Sequence, residues 1–107
     1  MAKKEILDKI KHFISLVKQN NISVNKAYLF GSHVFENAND CSDIDVAIIS
    51  ENFGKNYIQE TLLLMDLANK IDLSISPDLY TLDEYNKATQ GDFLWQEIIQ
   101  KGIPIEV

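Results

Sequence analysis

Apolar and polar positions alternate along this chain with two distinct periods, and the period changes mark its elements. Ile6, Ile10, Phe13 and Val17, with Leu7 and Ile14 alongside, recur at helical spacing, so residues 4–18 are predicted to form an amphipathic surface helix. Asp8, Lys9, Lys11, His12 and Ser15 take its solvated face, and Asn20-Asn21 ends it. Residues 26–30 read as a short buried strand that delivers Gly31-Ser32 at its C-terminal end, where sheets of strand-then-helix construction usually bind ligands. A brief helix is expected over residues 32–35, followed by a polar loop through residues 37–40, with Cys41 a loop residue.

Residues 44–50 are a strand by composition and length. Their parity puts Asp43, Asp45, Ala47 and Ile49 on one face and Ile44, Val46 and Ile48 on the other. After a turn over residues 51–55, residues 57–71 carry Ile58, Leu62, Leu63, Leu64, Met65, Leu67, Ala68 and Ile71, an apolar surface wide enough for a helix covering a sheet, with Met65 in the core. Residues 72–80 alternate, with Leu73, Ile75 and Leu79 on the packed side and Asp72, Ser74, Ser76 and Asp78 on the polar side. Pro77 marks an edge strand or a bend. Thr81 with Glu84 three residues on is a capping-box pattern, residues 92–101 are a last amphipathic helix ended by Gly102, and residues 103–107 suit a final strand. Phe93 and Trp95 on that last helix are expected to pack in the core, with a partner-binding patch as the other reading.

The chemistry concentrates between Leu29 and Ser50. Carboxylates two apart on a strand sit side by side, and such a like-charge pair is unfavourable unless something offsets it. A divalent cation does so, and Mg²⁺ typically takes one or two carboxylates and completes its shell with water and substrate phosphates. Gly31-Ser32 fits as the other half of a site, because a glycine lets backbone N–H groups approach an anion and a helix starting near Ser32 adds its positive end.

Gly31-Ser32, a spacer, then Ser42-Asp43-Ile44-Asp45 resembles the signature of the nucleotidyltransferase superfamily, in particular its minimal nucleotidyltransferases (MNT proteins), which accompany HEPN-domain toxins. The likeness continues through Lys70-Ile71-Asp72, the Thr81–Tyr85 stretch and the closing Glu97–Ile103 stretch, and so covers nearly the whole chain. It implies an α/β (α+β) nucleotidyltransferase fold, a small mixed β-sheet with helices packed mainly on one face, as one domain over residues 1–107. It also implies Mg²⁺-dependent transfer of AMP from ATP to a hydroxyl, with a tyrosine of a HEPN toxin as acceptor and an antitoxin role. Gly31, Ser32, His33 and Ser42 would bind the nucleotide, and Asp43 and Asp45 the metal.

Two departures from the family matter. The residue after Gly-Ser is commonly arginine in the family and is His33 here, either a weaker phosphate partner or simply the second residue of a helix. Catalytic relatives also use a third carboxylate, a glutamate just before the proline, and that position is Ser76. Asp78 and Asp72 share its face, about 7 and about 13 Å away along the strand. Asp78 would complete the catalytic set if the strand bends, Asp72 would complete the metal set in another register, and a solvated strand face is the other reading of both. Two alternatives therefore stand beside the enzyme: a catalytically degenerate antitoxin that acts by binding alone, and a small-molecule transferase like the aminoglycoside nucleotidyltransferases, for which this chain is too short to carry the additional domain.

Bulk properties narrow the partners. The net charge is -6 and the ten basic residues are all lysines, scattered along the chain, which counts against a nucleic-acid footprint. One cysteine precludes an internal disulfide, and neither a signal-peptide pattern nor a membrane-length apolar run is present, so the expected location is the cytoplasm. Both homo- and hetero-oligomers are compatible with the sequence.

Overall fold

The computed structural model describes residues 3–34 and 42–107. The loop expected at residues 37–40, Cys41, and Phe35 at the end of the expected short helix lie outside the described residues. In chain order come α1 (Lys4–Gln19), β1 (Lys26–Phe30), a 3₁₀ turn (Gly31–Val34), β2 (Ile44–Ser50), α2 (Tyr57–Ile71), β3 (Ile75–Thr81), α3 (Leu82–Lys87), a π-helical segment (Leu94–Ile99) and β4 (Ile103–Pro104). The strands form a mixed sheet in the order β3-β2-β1-β4. β1 runs antiparallel to β2 and β4, while β2 and β3 are parallel, as a crossover through α2 requires.

Strand parity divides the interior into two layers. Ala27 and Leu29 of β1, Ile44, Val46 and Ile48 of β2, and Ile75 and Leu79 of β3 pack against α1 and α2. Ile10, Phe13 and Val17 of α1 are completely buried there, as their spacing predicts. Tyr28, Phe30, Ala47 and Ile49 point the other way, and Leu94 and Ile98 of the π-helical segment cover part of that face. The two long helices thus share one side of the sheet, and the opposite side keeps room for chemistry.

Four expectations are corrected. On α2, Leu64, Leu67 and Ala68 are buried, but Ile58, Leu62, Leu63 and Met65 are exposed, because eight apolar positions in a 15-residue helix take up more of its circumference than faces one sheet. Leu73 is 82% exposed, because the strand begins at Ile75 and residue 73 belongs to the turn before it. The last helix is π-helical: the N–H of Gln100 reaches back five residues to the C=O of Trp95. Phe93, expected in the core, is 56% exposed. The capping box is present, with Thr81 Oγ1 accepting from the N–H of Glu84 (3.0 Å) and Glu84 Oε1 accepting from the N–H of Thr81 (2.9 Å). Pro77 sits on edge strand β3, where its missing N–H costs no interior ladder bond. No helix among the described residues is long and apolar enough to cross a membrane.

Candidate active site

The candidate site lies on the second face of the sheet, where β1 ends and β2 begins. Phe30 pairs with Asp45 across the antiparallel ladder, so the chain leaves β1 beside that carboxylate. Gly31 then adopts φ +77°, a left-handed conformation suited to glycine. Any Cβ at Gly31 would collide with Asp45 Oδ2. The glycine is therefore required twice, by its own backbone angle and by the carboxylate resting on it.

After the bend, residues 31–34 form one 3₁₀ turn rather than a full α-helix start, so the dipole it contributes is small. His33 lies in this turn and its Nε2–H donates to the C=O of Ser42 (3.2 Å). That bond ties the end of the first strand to the residue preceding Asp43. It gives His33 a structural task that neither reading of the sequence contained. Ser32 and Asp43 are exposed and Ser42 is partly covered.

The parallel register decides which of the further acidic residues joins Asp45. Asp45 stands opposite Ser76, and Ala47 opposite Asp78, so Asp78 is one same-face position farther along β3. Burial raises the proton affinity of Asp45, the charges of Asp78 and Asp43 raise it further, and His33 offsets part of this. Asp78 is exposed at the surface of β3, as a solvated strand face would have it, and the surrounding protein still raises its proton affinity by partial desolvation. Asp45 thus has carboxylate neighbours on both sides. Tyr80, next along that face of β3, is pushed up to about 12 by burial and by Asp78, Glu84 and Tyr57, and stays a neutral phenol.

Asp72 is placed elsewhere. It is the C-cap residue of α2, accepts from Lys9 Nζ of α1 at 2.6 Å, and takes two hydrogen bonds from Ser74 (2.6 and 2.8 Å). Those donors hold its carboxyl well below the usual range, Lys9 first and Ser74 second. The alternative register in which Asp72 would serve as a metal ligand is not the one observed. Among the described residues no group of three or more His, Cys, Asp or Glu side chains is gathered tightly enough to hold a metal ion by itself. Two carboxylates, Asp43 and Asp45, still match the demand of Mg²⁺, which leaves most of its shell to water and phosphate oxygens.

One part of the surroundings was not found from the sequence. A cavity of about 240 Å³ opens beside Asp45 and Gly31, walled by Phe30, Val34 and Phe93, with Glu97 and Lys101 at its rim. The signal for it is the four-residue spacing of positions 93, 97 and 101, which aligns one aromatic and two opposite charges on a single helical face.

The family model for polymerase beta, nucleotidyltransferase, matches residues 8–106. Among solved structures, a candidate nucleotidyltransferase of Sulfolobus solfataricus aligns with a TM-score of 0.63 at 14% identity, covering 94% of this chain and 78% of that one. A toxin-antitoxin complex, MntA-HpeT, carrying two aspartate-to-glutamate substitutions two positions apart, aligns with a TM-score of 0.61 at 24% identity, covering 92% of this chain and 72% of that one. Both likenesses concern the fold. No curated protein matches the chain.

Proposed function

Because the chain belongs to the polymerase beta nucleotidyltransferase family, we propose that it transfers AMP from ATP, with Mg²⁺, to a protein hydroxyl, and that the acceptor is a tyrosine of a HEPN-type toxin which the modification silences. The observation that carries this reading is the electrostatic grouping of Asp45 with Asp78 and Asp43 on the sheet face beside the Gly31 bend. Three like charges near one point are a cost to the fold that a divalent cation would relieve. The toxin partner is supported by the MntA-HpeT likeness, whose altered aspartates have the spacing of Asp43 and Asp45.

In this reading Gly31, Ser32, His33 and Ser42 line the place of the β- and γ-phosphates, and Asp43 and Asp45 would hold Mg²⁺. When bound, the ion neutralises the phosphate charge and polarises the α-phosphate. The acceptor hydroxyl attacks the α-phosphorus, the new O–P bond forms as the bond to pyrophosphate breaks, and Asp78 takes the hydroxyl proton. Its exposure on β3 leaves Asp78 open to an incoming hydroxyl, and its raised proton affinity makes it a stronger base.

Co-expression with the product of the neighbouring gene, the toxin of this reading, and intact-mass measurement test it. An AMP-sized increment on the toxin is expected with the wild-type chain and not with Asp43→Asn/Asp45→Asn; equal modification by the double variant would refute the assigned roles. A second reading, neutralisation by occlusion alone, is favoured by one observation: the position directly opposite Asp45 is Ser76, which is neither an anionic ligand nor a base. Protection from the toxin that survives the double variant, with no mass increment on the toxin from either form, would select it.

A further inference from the structure

The cavity beside Asp45 has no part in the roles above, except that Gly31 and Asp45 form its inner edge. Its walls and rim differ in character. The Phe93 ring meets Phe30 edge-on, with centroids 6.1 Å apart and planes at 80°, and keeps more than half of its surface uncovered. At the rim the Glu97 carboxylate and Lys101 ammonium pair at 3.2 Å, four residues apart, and both remain accessible. An open aromatic face with one strong acceptor and one strong donor at its edge matches a flat ring that carries its own donors and acceptors on the perimeter.

We propose that this cavity receives the base of the donor nucleotide, with its ring against Phe93 and its polar edge met by Glu97 and Lys101; the assignment rests on the transferase reading above. The size agrees, since about 240 Å³ lies below the roughly 300–1,000 Å³ of pockets that enclose drug-sized ligands. One ring system fits, and the phosphates must lie outside, toward Gly31. Placement agrees as well. In the sheet order the cavity is on the β1 side of Asp45, whereas Ser76 and Asp78 are on the β3 side. The donor base and the acceptor hydroxyl then reach Asp45 from opposite sides and do not compete. A tyrosine ring of the acceptor would present a single hydroxyl to two rim charges, and would stand across Asp45 from the base that must take its proton.

Calorimetry of the full chain with Mg·ATP and with Mg·tripolyphosphate, which has no base, separates the parts. Phe93→Ala is expected to weaken ATP binding roughly tenfold, the order of loss when one stacked aromatic is removed from a base, and to leave tripolyphosphate binding unchanged. Lys101→Met, on a solvated side chain, is expected to act in the same direction. Unchanged ATP binding in both variants overturns the proposal, as does equal weakening of both ligands. So does an effect confined to the KM for the acceptor, which would give the cavity to the tyrosine. If the wild type binds no tripolyphosphate the transferase reading fails, and adenosine alone then decides: amide shifts at Gly31, Phe93 and Lys101 that vanish in Phe93→Ala uphold the cavity as a base site, and their absence removes it.

Discussion

Gly31 shows how much of the site hangs on single atoms. Its φ of +77° and the collision that any Cβ would have with Asp45 act together, so Gly31→Ala strains the backbone and displaces a carboxylate at once. The expected cost is about 1–3 kcal/mol of stability, read from denaturant unfolding, together with loss of Mg²⁺-dependent transfer. Ser76 provides the complementary change. Ser76→Glu adds a fourth carboxylate to the group of Asp43, Asp45 and Asp78, so the melting temperature should fall without Mg²⁺ and recover when it is added; a variant indifferent to the ion would argue that Asp43 and Asp45 do not hold one. Asp72 stabilises the fold instead. Its carboxyl is held low by Lys9 and Ser74, so its contribution is full above the ordinary carboxylate value of about 4 and fades as the pH falls toward the lowered one. The difference in melting temperature between wild type and Asp72→Asn should therefore be largest near neutrality and shrink in acid. Parity put Asp72 and Asp78 on one polar face of the sequence pattern. Only the register, and a lysine 63 residues away, tells them apart.

α2 shows why element boundaries were more legible than element faces. Its start carries local signals: Asn56 Oδ1 accepts from the N–H of Gln59 at 3.1 Å, and the Glu60 carboxylate takes the N–H groups of Gly54 and Lys55 at 3.0 and 3.2 Å. Hydrogen bonds within a few residues leave a trace in the sequence. Which side of the helix meets the sheet is settled by distant residues, and Leu62 and Leu64 look equivalent until those are in place. They are 60% and 1% exposed. Leu64→Ala should cost about 2–5 kcal/mol, whereas Leu62→Ala should stay within about 0.5 kcal/mol, a contrast that chemical denaturation resolves directly. The π-helical segment is a similar case, since an apolar period of three to four residues reads as an ordinary helix until its hydrogen bonds are seen.

The whole molecule pairs an acidic chain with a proposed polyanionic substrate. With a net charge of -6 and no arginine, the general field of the protein repels ATP. Binding must then come from a local arrangement, and removing Mg²⁺ with EDTA should take ATP affinity below calorimetric detection while tertiary structure, followed by near-ultraviolet circular dichroism, is unchanged. The fold itself was readable because the strand-helix-strand order, the Gly-Ser bend and the spaced aspartates are near neighbours in sequence. The cavity was not, because its walls come from β1 and the 3₁₀ turn on one side and the C-terminal segment on the other, about sixty positions apart.

β2 has a division of labour that reaches beyond this chain. Its even-numbered side chains anchor the larger core, while its odd-numbered ones begin with the acidic groups. Folding and chemistry therefore draw on opposite sides of one backbone. A lineage could exchange Asp45, or Asp78 on the adjoining β3, for a neutral residue and keep its shape, so active and silent members of this family would be hard to distinguish by outline, and the identity of a few side chains on one face of the sheet would have to separate them.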